Sequence, residues 1–200
     1  EMEKQRDRAR SSQKFEPAEG VGVSKALDIK PTNFVGYSTL TQDTAILGIL
    51  VKDKAVSEVE LDQEAGIILE STPFYGEMGG QVGDTGEIRG NRGRFIVTDT
   101  VRLQDKIVHR GKVVEGVLAV RDKVTAAVDA ERRRDIQRNH TATHLFHEAL
   151  RKTIGEHSHQ QGSLVAPDHL RFDFNHFEKI TADQLRKIED IVNEKISDSI

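Results

Sequence analysis

The sequence predicts an α+β fold in which a small antiparallel β-barrel precedes a unit of helices packed on an antiparallel sheet. Short apolar, β-branched runs separated by turn residues fill the first part of the chain, a pattern typical of a small barrel. After residue 128 the apolar residues instead recur at helical spacing, and two short strands and another helix follow. The change of pattern therefore predicts two folded units in series.

These patterns divide the chain into three parts. Residues 1–25 read as the end of a charged helix and a loop, which we interpret as a linker from an upstream domain. Residues 26–128 form the predicted barrel, and residues 129–200 form the α+β unit. Because helical patterns are already running at both ends, we expect a fragment that is truncated at both ends and incomplete at the C-terminal side.

Short runs of apolar residues mark the barrel strands. They are residues 36–39, 45–51, 65–69, 93–97 and 107–109, with further strands expected between 113 and 128. Turns are predicted at 52–54, 90–91 and 110–111. The glycine-rich stretch 79–86 is followed by a predicted strand at 87–90 and not by a helix, which argues against a dinucleotide-binding loop.

The α+β unit has clear helix signals. Asp129 is predicted to cap a helix that starts at residue 130 and stops near Gly155. Residues 161–165 and 170–174 are predicted strands, and the second alternates apolar and charged positions. Thr181 and Gln184 form a predicted capping box for the last helix.

Composition limits the chemistry that the chain can carry. It has 200 residues, a formal net charge of -4 and no cysteine, so disulfides, thiolate catalysis and all-cysteine metal sites are excluded within it. The acidic balance requires that any nucleic acid be met by a local basic patch. The sequence has no apolar run of membrane-spanning length and no secretory signal, so we expect a cytoplasmic protein with no membrane partner.

His140 and His144 are a candidate metal half-site. They lie one helical turn apart, which places their Cβ atoms about 5 to 6 Å from each other on one face and suits two ligands of a tetrahedral ion. On spacing alone, two partly exposed histidines without a metal are the commoner arrangement. Thr141 stands where zinc proteases carry a glutamate, and His147 is more readily a buried neighbour than a third ligand.

Four sequence blocks resemble the barrel and editing domain of alanyl-tRNA synthetases. Residues 139–145 read NHTATHL and resemble the first zinc motif of that domain. Residues 71–86, STPFYGEMGGQVGDTG, resemble the glycine-rich block of the barrel, although Met78 replaces a small polar residue. Two further blocks, QQGSLV at 160–165 and LRFDF at 170–174, follow in the expected order.

The resemblance implies an editing module that hydrolyses the ester of seryl-tRNA(Ala) and glycyl-tRNA(Ala). Apolar pockets separate such similar amino acids by only about 1 to 3 kcal/mol, so a second, hydrolytic site is needed. Thr143 and Gln160 are the expected catalytic residues, which hydrogen-bond the seryl hydroxyl. Alternatively, Thr143 bonds only to its own helix.

The resemblance also implies the cofactors. Zinc is expected on His140 and His144, with a Cys and a His from a later Cys-x-x-x-His motif beyond Ile200. ATP and magnesium are expected only in a synthetic domain of the parent, an ATP-dependent alanine–tRNA ligase. This fragment alone is expected to be inactive, and the sequence predicts no oligomeric state.

The expected partner is the acceptor end of tRNA(Ala). Gly79, Gly80 and Gln81 are candidates for contact with it, although they also suit tight barrel turns and match the tripeptide of peptide-release factors. A basic cluster lies directly before the histidines; its members are Arg132, Arg133, Arg134 and Arg138. Phosphate contacts are expected from Arg132, Arg133 and Arg138, although such a run can also be a solvated face. A charged helix in residues 2–10 favours the synthetase over a free-standing editing hydrolase of the same superfamily. A non-catalytic, zinc-stabilised RNA-binding module is a further alternative, which would show affinity for RNA without turnover.

Overall fold

Within residues 29–52 and 54–198, which the computed structural model describes, the chain forms twelve strands and two helices. Strands β1 to β12 span Asn33–Phe34, Thr41–Val51, Lys54–Val56, Glu58–Glu60, Glu64–Leu69, Ser71–Thr72, Gly86–Gly90, Gly93–Leu103, Lys106–Ala119, Lys123–Val128, Gln160–Val165 and Leu170–Phe174. Helices α1 and α2 span Ala130–Ile154 and Ala182–Ser197. The predicted α+β fold, with a barrel first, is confirmed.

Six strands close into an antiparallel barrel. Their order around it is β10, β7, β8, β9, β5 and β2, and pairing of β10 with β2 completes the circle. Closure removes the free edges that an open sheet would expose. The barrel therefore gives a rigid frame to the loop between β6 and β7, which carries the glycine-rich block.

The barrel interior is filled by the apolar faces of its strands. Strand β8 alternates buried and less buried residues along its first half, as a strand with one face toward a core should. Its Phe95 is fully buried and belongs to the same core cluster as Phe74 from the loop after β6. Burying each such side chain contributes roughly 1.5 to 3 kcal/mol, so the packed interior is the main stabilising feature of this unit.

Two local predictions within the barrel were wrong. Residues 36–39 form a turn and not a strand, with the Ser38 amide bonded to the Val35 carbonyl at 3.0 Å. The turn predicted at 110–111 lies inside β9, because Gly111 packs directly against the Ile96 carbonyl of β8, where a side chain would not fit. The predicted helix and linker at residues 1–25 lie outside the described residues.

The α+β unit follows directly after β10. Asp129 caps α1 by accepting the amides of Glu131 and Arg132, and Gly155 ends the helix with a positive φ of 109°. The Thr181 and Gln184 capping box at the start of α2 is confirmed in both directions.

Helix α2 packs on α1, and the β11–β12 pair lies against α1. A small core joins these elements; its buried members are Ala149, Leu150, Ile154 and Ile188. The proposed domain limits at residues 25 and 128 remain predictions. In the described part of the chain, neither helix is apolar enough along its length to cross a membrane.

Candidate functional site

Helix α1 carries His140 and His144 on one exposed face. Their ring centres are 5.0 Å apart and the ring planes are inclined at 46°. An ion held tetrahedrally by one nitrogen of each ring would place the two ring centres about 5 Å apart, given zinc–nitrogen bonds of about 2.0 to 2.1 Å. The observed separation of the ring centres therefore matches the one that two histidine ligands of one ion require.

Both histidines line a small pocket of about 90 Å³ between α1, the β11–β12 sheet and the loop after β6. The remaining lining residues are Gly79, Gln81, Thr143, His147, Gln160, Ser163, Val165 and Phe172. Residues far apart in the sequence meet here, since the loop, the helix and the sheet each supply one wall. The pocket collects both predicted metal ligands and both predicted catalytic residues.

The two predicted catalytic residues differ in their surroundings. Thr143 is buried, and its hydroxyl donates to the Asn139 carbonyl at 2.8 Å, one turn back in α1. That bond uses the only proton of the hydroxyl and leaves its oxygen able to accept a hydrogen bond from a ligand. Gln160 is exposed at the start of β11, and its amide donates to the Ser163 hydroxyl at 3.0 Å.

The glycine-rich loop reaches the helix as well as the sheet. The side-chain oxygen of Gln81 lies 2.7 Å from Nδ1 of His140. On the other side, the Val82 amide donates to the Val165 carbonyl at 3.1 Å, and the Val165 amide donates to the Gly80 carbonyl at 2.8 Å. The loop is thus fastened to β11 and touches a predicted metal ligand.

The close contact between the loop and β11 requires a glycine at position 80. It has a φ of 85°, a conformation that residues with a side chain rarely adopt. A Cβ atom on Gly80 would also collide with the Ser163 carbonyl oxygen and lie 2.6 Å from the Ser163 hydroxyl. Gly79 has a similar φ of 64°, but a Cβ atom there would meet nothing within 4 Å. Only the second glycine is therefore pressed against β11.

Two polar residues of the pocket were not among the predicted site residues. Ser163 accepts the Gln160 amide and abuts Gly80, so it connects the sheet wall to the loop wall. The ring centre of His147 lies 5.1 Å from that of Phe172 in a tilted contact, and its Nε2 is buried without a hydrogen-bond partner in the described part of the chain. His147 lies one helical turn after His144, and this spacing could have predicted from the sequence that it lines the pocket.

One arginine of the basic cluster at the start of α1 does not have the role that the sequence predicted. Arg133 is buried, and its guanidinium bonds to the Asp84 carboxylate and to the carbonyls of Gly36 and Pro73. Because these contacts occupy its donors inside the fold, the predicted phosphate contact of Arg133 is corrected to a structural role.

The other two candidates for phosphate contact are more accessible. Arg132 is half-buried and donates to the Gly83 carbonyl at 2.8 Å. Arg138 is exposed and pairs with Asp135 on the same helix. Phosphate contacts by Arg132 and Arg138 remain predictions.

Comparison with known proteins decides the family. The model of the family described as "tRNA synthetases class II (A)" matches residues 1–132, which is more than half of the chain. The chain belongs to this family. The match covers the barrel, the glycine-rich loop and the first residues of α1.

Relatives within the class II synthetases are similar over nearly the whole chain. An alanine–tRNA ligase of Dehalococcoides mccartyi is 46% identical over 98% of this chain. Those of Polynucleobacter asymbioticus and a Roseiflexus species are 48% and 49% identical over 99% and 96%. The alignments therefore extend past the family model into the pocket.

This class II synthetase chain spans 21 to 23% of the length of those relatives. The resemblance to alanyl-tRNA synthetases, noted in four sequence blocks, is confirmed by these matches. Among residues 29–52 and 54–198, no three His, Cys, Asp or Glu side chains come together in a way that could hold a metal ion.

Proposed function

We propose that the pocket hydrolyses the ester bond that joins a wrong amino acid to the terminal ribose of tRNA(Ala), as part of an alanine–tRNA ligase. The observation that carries this proposal is the convergence of His140, His144, Thr143 and Gln160 on one small pocket. The similarity to alanine–tRNA ligases over nearly the whole chain supplies the context. Seryl-tRNA(Ala) and glycyl-tRNA(Ala) are the proposed substrates.

The lining of the pocket suits a substrate that carries a hydroxyl. Thr143 offers a hydroxyl oxygen and Gln160 an amide, both neutral and both able to hydrogen-bond the seryl side chain. Hydrogen bonds from these groups to the seryl hydroxyl would favour the seryl ester over the alanyl and glycyl esters, which lack that hydroxyl. The correct alanyl ester would therefore bind and react less well than the seryl ester.

The two histidines would hold zinc through one ring nitrogen each, and the rest of the parent enzyme would supply the other two ligands, a Cys and a His. Bound zinc would polarise the ester carbonyl or a water molecule, or would anchor the amino group of the substrate. The 5.0 Å separation of the ring centres supports this proposal. ATP and magnesium would belong to the synthetic domain of the parent.

The acceptor end of the tRNA would approach along the exposed side of α1. Arg138 lies two residues before His140 and is exposed. A guanidinium at this place is suited to a phosphate of the single-stranded acceptor end. Gly79 lines the pocket, and a Cβ atom added to it would meet no other atom within 4 Å. The backbone at Gly79 is therefore accessible to a nucleotide.

Deacylation of preformed seryl-tRNA(Ala) by the full-length enzyme tests the proposal. His144→Ala is expected to abolish deacylation and to leave aminoacylation with alanine largely intact, while His169→Ala, on the exposed turn after β11, serves as a control with wild-type deacylation. Retained deacylation in the His144→Ala enzyme would contradict the proposal. RNA binding without any turnover by the wild-type enzyme would instead indicate a binding module.

A further inference from the structure

Gln81 of the barrel loop contacts one member of the histidine pair and not the other. Its side-chain oxygen lies 2.7 Å from Nδ1 of His140. In this orientation of the amide, its oxygen can only accept a hydrogen bond, and Nδ1 of His140 is then the donor. In the neutral ring the proton then resides on Nδ1, and Nε2 carries a free lone pair.

We propose that Gln81 is a positioning residue that fixes His140 in the Nδ1–H tautomer and so presents Nε2 as a metal ligand. This inference rests on the proposed function, because it assigns a role within the same site. Metal-bound histidines commonly donate their second ring N–H to an oxygen, which sets the tautomer and the ring orientation. The Gln81 amide is suitably placed to be that oxygen.

Contacts with β11 fix the main chain on both sides of Gln81. They therefore restrict how far its side chain can move away from His140. Hydrogen bonds to β11 flank it on both sides: the Gly80 carbonyl accepts from the Val165 amide, and the Val82 amide donates to the Val165 carbonyl. Close contact of Gly80 with Ser163 fixes the loop at the preceding residue. A preorganised acceptor of this kind orients a ring without a large loss of side-chain entropy.

The two histidines are therefore not equivalent. Neither ring nitrogen of His144 has a hydrogen-bond partner among the residues that the structure describes, whereas His140 is tied to the barrel. The contact joins residues 59 positions apart in the sequence. Through it, Gln81 acts on the metal site, which is a different role from the acceptor-end contact that the sequence suggests for this residue.

The tautomer can be measured on this 200-residue chain without metal. Long-range ¹H–¹⁵N correlation spectra report which ring nitrogen carries the proton at a pH where the ring is neutral, and a His140→Ala spectrum assigns the signal. The wild-type chain is expected to show Nδ1–H at His140. Gln81→Leu is expected to shift His140 toward Nε2–H, while Gln81→Glu, which keeps an acceptor, retains Nδ1–H. Gln42→Leu, on the barrel outside the loop, is the matched control.

The consequence for metal is measured on the full-length enzyme by competition with a zinc chelator. Gln81→Leu is expected to weaken zinc binding by about 10- to 100-fold, the usual effect of removing such a partner, and Gln81→Glu to retain it. An Nε2–H tautomer in the wild type, or wild-type zinc affinity in Gln81→Leu, would overturn the inference. These readouts do not depend on deacylation, so failure of the proposed function would be recognised separately.

Discussion

Arg133 of helix α1 and Asp84 of the glycine-rich segment form a buried ion pair that joins the second unit to the barrel. The guanidinium Nε lies 2.9 Å and 3.0 Å from the two carboxylate oxygens, and the side chains are 7% and 1% exposed. Asp84 also accepts the Tyr75 amide at 2.6 Å. One carboxylate therefore fixes both the start of the loop and the helix that carries the histidines.

Arg133→Met is expected to destabilise the chain by about 3 to 5 kcal/mol, because it leaves the buried Asp84 carboxylate without its partner. The measurement is the free energy of unfolding in urea. Arg138→Met, which removes an exposed partner of Asp135, is the matched control, and its expected cost is below about 1 kcal/mol. Equal losses in the two variants would show that the buried pair has no special role.

His109 is expected to make the barrel less stable in mild acid. Burial lowers the pKa of His109 from 6.5 to about 4, while its ring bonds to the Ile67 carbonyl and the Thr72 hydroxyl. Between those two pH values the unfolded chain binds a proton that the folded chain does not, so stability falls as the pH falls. The expected loss from this group is about 3 kcal/mol across that interval.

Urea unfolding at several pH values checks this expectation against His109→Gln, which hydrogen-bonds without titrating. The variant is expected to be less stable at neutral pH, but its stability should fall less steeply between pH 6.5 and about 4. If the free energy of unfolding changed equally with pH in the two proteins, the pH dependence would not come from His109.

Gly80→Ala and Gly79→Ala form a matched pair that tests the loop. Each places an alanine at positive φ, which costs about 1 to 2 kcal/mol. Only Gly80→Ala adds a collision with Ser163, so only it should displace Gln81 and lower deacylation, by about 10- to 100-fold for a small misplacement. If Gly79→Ala impaired deacylation equally, contact of the loop with β11 would not explain the effect.

Thr143→Val is expected to reduce hydrolysis of the seryl ester more than that of the glycyl ester, since the valine cannot accept a hydrogen bond. Loss of one such bond in a buried site costs about 1 to 3 kcal/mol, or roughly 5- to 150-fold in rate. Thr143→Ser, which keeps the hydroxyl, should retain most of the activity. The measurement is the rate of deacylation of each ester. Equal losses of rate for the seryl and glycyl esters would show that Thr143 does not recognise the seryl hydroxyl.

Much of the fold could be predicted because local patterns and tertiary structure agree. The caps at Asp129 and Thr181 and the strand β12 are determined by nearby residues, and the structure confirms these elements. Gly111 could not be interpreted correctly, because its small size serves a close contact with β8 and not a turn. Closure of the barrel, between β2 and β10, depends on pairing across some 80 residues and has no local signal.

The site was predictable only in part. The spacing of His140 and His144 follows from helix geometry, so the sequence alone predicts that they share a face. The contact of Gln81 with His140 and the burial of Arg133 depend on how the loop folds onto α1. From the sequence, Arg133 could not be distinguished from the exposed Arg138, because both are arginines near the start of α1. The partner of Arg133, Asp84, is 49 residues away in the sequence.

Accumulation of seryl-tRNA(Ala) tests the central claim most directly. The full-length enzyme is supplied with serine, ATP and tRNA(Ala), and the seryl-tRNA formed is followed over time. The wild-type enzyme should accumulate almost none, whereas His140→Ala should accumulate it steadily while charging alanine at a near-normal rate. Absence of seryl-tRNA(Ala) with the His140→Ala enzyme, under conditions where alanine is charged normally, would contradict an editing role for this pocket.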